Sequence, residues 1–196
     1  MRAASAASNL FAALAMAGTL ICASVAQAGV KVIPKDTPYG ITGISTKEIG
    51  RQLTRRGGAK LTATIRREIE FAHSEPSTCY VREADYTLYL ITTYPRLEGK
   101  VSPKLRKRWN AFLSTVVASD AKTRQWAIQT TNAMDELTAN LSMKNDRSCN
   151  RLRSFVAQRL HSIDQKFKKV NQQYVDEQNG PNGAVGKATT EFYREP

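Results

Sequence analysis

Histidine and cysteine are scarce in this 196-residue chain, which has two histidines (His73, His161) and three cysteines (Cys22, Cys79, Cys149). No Cys-x-x-Cys pair offers a zinc or redox site, and no Cys-x-x-Cys-His offers a haem attachment point. The Gly-x-Gly-x-x-Gly, P-loop and Gly-x-Ser-x-Gly patterns are missing as well. Their absence removes the usual sequence support for a dinucleotide, a nucleoside triphosphate or a serine nucleophile. Glu70 and His73 do stand in Glu-x-x-His, the spacing by which one helix gives two ligands to a carboxylate-bridged metal pair. Such a centre needs the motif twice, and the residue three before His161 is Gln158. No metal or cofactor is expected.

Long apolar runs are missing too, with one exception at the N-terminus. Arg2 leads, an Ala-rich apolar stretch runs from Leu10 to Val25, and Ala26-Gln27-Ala28 closes it, the order of a cleavable secretory signal peptide. The run is shorter than the roughly 20 residues a spanning helix needs and is diluted with Ala, Ser and Gly. Cys22 follows the bulky Ile21, not the small residue that lipoprotein acylation requires, so it is expected to leave with the peptide. Cleavage near Ala28 predicts a periplasmic or secreted protein of 168 residues, since 28 of 196 are removed, which suits one domain.

Acidic residues are outnumbered, 17 Asp and Glu against 29 Lys and Arg, for a net charge of +12. The leader holds only Arg2 of these charges, so +11 stays with the mature chain. Outside the cytoplasm this excess points to anionic envelope components (lipid headgroups, lipopolysaccharide, acidic glycans) or a protein partner, with nucleic acid ranking lower. Cys79 and Cys149 are an even pair in an oxidising compartment and are expected to form an internal disulfide.

Periodicity predicts an all-α fold. Residues 29–44 carry Pro and Gly without a period and read as an extended arm, and 45–176 as a helical domain. The last 20 residues, 177–196, read as a disordered tail. Ser45 and Glu48 form a capping box, and the helix they open should stop at Gly57-Gly58. Leu61, Ile65, Ile69 and Ala72 predict an amphipathic helix, and Val81, Ala84, Leu88 and Ile91 predict another. Ser102 and Pro103 open a third, which we expect to break between Val117 and Lys122, where Ser119-Asp120 offers a new cap. From Cys149 to Tyr174 a heptad-like series needs another helix, or another chain in a homo-oligomer, to cover it. A disulfide between Cys79 and Cys149 then demands about five to six obliquely packed helices in a compact bundle.

The candidate site is a set of basic side chains. Lys104, Lys107 and Arg108 share one face of a helix just beyond its cap, and Arg66 and Arg67 belong to a second basic group. These five residues are the expected anion-binding positions of a non-catalytic protein. The rival is a small secreted hydrolase acting on glycan or lipid through carboxylates among Glu68, Glu70, Glu75, Glu83 and Asp85.

Overall fold

The computed structural model describes residues 30–75 and 77–194. The expected signal peptide, its cleavage point and Cys22 lie outside the described residues. The fold is mixed α/β, which overturns the all-α expectation of a five- to six-helix bundle.

Two of the expected helices are strands. Strand β3 (Lys60–Glu75) and strand β4 (Thr78–Thr93) form an antiparallel hairpin, and strand β1 (Lys31–Asp36) lies parallel to β4 on its other side. Leu61, Ile65 and Ile69 recur every fourth residue, a spacing that is a multiple of two and so fits one face of a strand as well as one face of a helix. In β4 a register shift opposite Glu70 and Phe71 changes which residues face inward. Cys79 is buried before it, while Ala84, Tyr86, Leu88, Leu90 and Thr92 alternate inward after it. Read without the shift, the mixture of odd and even positions gives helix-like intervals of three and four.

The presumed arm supplies β1 and strand β2 (Tyr39–Ile41), which pairs with strand β5 (Pro95–Leu97) in a second, two-stranded sheet. Between β2 and β3 lies helix α1 (Thr46–Arg56). The Ser45 side chain accepts a hydrogen bond from the Glu48 amide, and Gly57 ends the helix in the left-handed region at φ 78°. Only glycine enters that region without steric cost.

Helix α2 (Pro103–Thr138) opens with the Ser102 cap and runs 36 residues without a break. The expected split at Ser119-Asp120 does not occur, because these polar groups serve tertiary contacts. The Asp120 carboxylate accepts a 2.8 Å hydrogen bond from the Tyr94 hydroxyl, and the Ser119 carbonyl accepts one from Tyr174. Midway along β4 the Tyr86 hydroxyl lies 3.2 Å from that of Thr138, at the end of α2. From Tyr86 to Tyr94 is eight strand steps, roughly 26 Å, and from Thr138 to Asp120 is eighteen helical steps, roughly 27 Å. Helix α2 therefore lies antiparallel along β4 in a register set at both ends.

Beyond Thr138 the hairpin overhangs α2. The overhang is met by strand β6 (Ser142–Met143), paired to Cys79 and Tyr80, and by the start of helix α3 (Asn150–Asn179). Cys79 and Cys149 are bonded there, with Cα atoms 5.4 Å apart. Aligned helices would have kept these residues apart, but a strand advances about twice as far per residue as a helix and reaches the site without oblique packing. Cys149 has no capping side chain, and buried Asp146 accepts from the Leu152 amide in its place. Cys79, Ala84, Tyr86, Met134, Leu152, Val156 and Leu160 pack around the bridge.

The supposed tail is helical: α3 continues to Asn179, and helix α4 (Ala184–Tyr193) follows a short turn. Phe192 is buried against Trp109 and Phe112, at ring-centroid distances of 5.7 and 5.4 Å. Ile41, Ile49, Leu53, Leu97 and Leu105 complete this second apolar cluster. Among the described residues, no helix is long and apolar enough to cross a membrane.

A Cys79→Ser, Cys149→Ser double variant should lose about 4 kcal/mol in urea unfolding, the loop-closure effect expected for a sequence separation of 70. A loss under about 1 kcal/mol would show that packing alone holds the overhang. Burial pushes the pKa of Asp120 above the ordinary carboxylate range, against the lowering effects of the Tyr94 hydrogen bond and nearby Arg124. A raised folded pKa gives stability that is present below the unfolded value of about 3.9 and lost as pH rises through the folded value. Asp120→Asn keeps an acceptor for Tyr94 but cannot ionise, so its stability relative to the parent should rise between pH 4 and pH 7. A difference in urea midpoint that is independent of pH would refute this account.

Candidate anion-binding site

The basic side chains do not form one patch. Arg66 and Arg67 are neighbours on β3 and therefore project to opposite faces of the sheet. Arg66 lies on the outer face, 2.5 Å from the Glu68 carboxylate, while Arg67 stands opposite Tyr86 on the inner-face register. Both are exposed and both are distant in the fold from the start of α2.

Lys104, Lys107 and Arg108 do share the first turns of α2, but their roles differ. Lys104 and Lys107 are exposed, with no ion pair among the described residues. Arg108 is half-buried, and its guanidinium donates to the carbonyls of Glu191, Phe192 and Arg194. Those carbonyls end α4 and have no partner within the helix, so a cation there satisfies both their hydrogen bonds and the helix dipole. Arg108 thus clamps α4 onto α2.

Helix α4 joins two basic elements that are remote in sequence. On one side Tyr193 packs over Gly50 of α1, where any side chain would clash with its ring. The concavity there, about 570 Å³, is lined by Lys47, Arg51, Arg55, Thr46, Thr54 and Tyr193, with no acidic residue among the described residues. Lys47, Arg51 and Arg55 are spaced by four and form a ridge along α1. On the other side a groove of about 400 Å³ between α2 and α4 carries Lys104, Arg108 and Arg194 on its walls, with Glu191 as its one acid among the described residues. The row on α1 was missed as part of the site because nothing in the sequence of the tail shows that it folds between α1 and α2.

The carboxylates of the rival reading gather elsewhere. Glu68 stands opposite Asp85, and Glu70 opposite Glu83, on the outer face of the β3–β4 hairpin. They are solvent-exposed, with Glu68 paired to Arg66 and Glu70 to Arg82. A general acid needs a carboxyl kept protonated by an apolar setting, which this open face does not provide. Glu70 and His73 share a strand and not a helix, so the pair projects to opposite faces. No group of three or more potential metal ligands occurs among the described residues.

Over residues 37–183 the chain matches the model of a family described as bacterial protein of unknown function (DUF922), and it belongs to that family. No curated protein and no solved structure matches it. The matched span ends at Gly183, one residue before α4, so the clamp and both concavities depend on an element beyond it.

Replacing Arg108 with Gln should therefore act on stability before it acts on binding. With the α4 carbonyls unsatisfied, a loss of about 1 to 2 kcal/mol is expected. In a Trp126→Phe background, Trp109 emission should shift to the red as Phe192 leaves its ring. Unaltered stability and emission would mean that α4 is held without the clamp.

Proposed function

We propose that this is an exported, non-catalytic bacterial protein that acts in the periplasm or after secretion and binds an anionic component of the cell envelope through its basic end. The observation that carries this reading is the convergence of Lys47, Arg51 and Arg55 with Lys104, Arg108 and Arg194 around the last turn of α4, with Glu191 the one acid lining either concavity among the described residues. Clustered charge of one sign raises the local concentration of oppositely charged ligands and speeds their encounter. The mature charge of +11 acts in the same direction. An acidic protein surface is the other ligand this end could meet.

Binding of the mature protein to vesicles containing anionic lipid, or to lipopolysaccharide, tests the reading. A Lys47→Gln, Arg51→Gln, Lys104→Gln, Lys107→Gln variant should bind at least about tenfold more weakly, or about 1.4 kcal/mol. Its stability should change by less than about 0.5 kcal/mol per site, because the replaced groups are exposed. Parent binding should also weaken as salt is raised and exposed charges are screened. Unchanged binding in the variant would overturn the reading. So would a glycan- or lipid-hydrolase activity abolished by Glu68→Gln, which would establish the rival function.

A further inference from the structure

The groove between α2 and α4 differs from the concavity on α1 in being apolar as well as basic. Lys104, Arg108, Ala111 and Thr115 follow one stripe of α2, a run of roughly 16 Å at 1.5 Å per residue. Helix α4 forms the opposite wall and runs the other way, since Arg108 meets its C-terminal carbonyls. Arg194 is therefore on the Lys104 side, and Ala188 faces the Ala111–Thr115 end. Two alanines facing each other leave the helices with no side chain to fill the space, and the half-buried ring of Phe112, stacked at 5.4 Å on the buried ring of Phe192, floors the hollow. One end of the groove is thus cationic and the other apolar. Glu191 sits 3.1 Å from the Arg194 guanidinium, which leaves Lys104 as the unpaired cation at the head of the groove among the described residues.

We propose that this groove binds a single-chain amphiphilic anion, an alkyl or acyl chain ending in a phosphate or carboxylate. The head lies at Lys104 beside Arg108 and Arg194, and the chain runs over Phe112 between Ala111 and Ala188. The proposal rests on the basic-end reading and adds the chemical class of its ligand. Charge complementarity selects the head, and the apolar floor rewards a chain, which a mineral anion or an acidic peptide could not use. At about 400 Å³ the groove is within the size range of small-molecule sites.

The test is calorimetric titration of the mature protein with butyl phosphate and with dodecyl phosphate below its micelle concentration. Burial of the additional methylenes should make dodecyl phosphate bind at least about thirtyfold tighter. Ala111→Trp, or Ala188→Trp should the first fail to fold, fills the groove and should bring the affinity for dodecyl phosphate down to that for butyl phosphate. Lys104→Gln should weaken both ligands. Equal affinity for the two phosphates, or a chain-length gain that survives in folded Ala111→Trp and Ala188→Trp proteins, would overturn this proposal and leave the basic-end reading standing. Failure of both phosphates and of anionic vesicles to bind would overturn the two together.

Discussion

The structure depends on how α2 is laid along β4. A strand advances more than twice as far per residue as a helix, so a hairpin with 16-residue strands needs helices of 30 residues or more to cover one face. Packing of Leu88 and Leu90 on Ala127 would tolerate some sliding of the helix, since apolar contact is not directional. The two tyrosine contacts do not tolerate it. A shift by one helical turn would leave the Tyr86 hydroxyl and the Asp120 carboxylate without partners in a largely buried layer, at a cost of about 1 to 3 kcal/mol each. Polar contacts fix the register of an interface whose stability is mainly apolar.

Local signals in the sequence were good guides wherever the local chain decides the outcome. Ser45 with Glu48, the stop at Gly57, Ser102 with Pro103, and the apolar series of Leu152, Val156 and Leu160 all stand as their residue types imply. The strands were not legible for a physical reason. Leu61, Ile65 and Ile69 satisfy both periods, and the register shift in β4 hides the alternation that would have distinguished them. Ser119-Asp120 shows the opposite failure: a pair that is chemically a good cap is held inside a helix by Tyr94 and Tyr174, both more than twenty residues away. Helix α4 carries one large buried side chain, Phe192, so its own composition says little about whether it folds.

The candidate site was legible to a similar depth. Lys104, Lys107 and Arg108 do lie close together on one helix, and the charge excess is a property of the whole chain. Which of them are available to a ligand was not legible, because Arg108 is occupied by carbonyls 83 to 86 residues further along. Arg66 and Arg67 looked equivalent as adjacent arginines on a presumed helix, and a strand separates them. The contribution of α1 depends on the same unforeseen element, the helix that brings Tyr193 to Gly50.

The position of the covalent bridge has a consequence for motion. It ties the sheet to α3 at the overhanging end, while α4 at the other end is held without a covalent link, by the second apolar cluster, the packing of Tyr193 on Gly50 and the Arg108 guanidinium. Partial unfolding is cheapest where the fewest constraints must be broken, so amide hydrogens should exchange fastest in α4 and slowest in the strand segments around Cys79. A protein stiff at one end and compliant at the other can change the width of its basic groove through the motion of a single short helix, without disturbing the sheet.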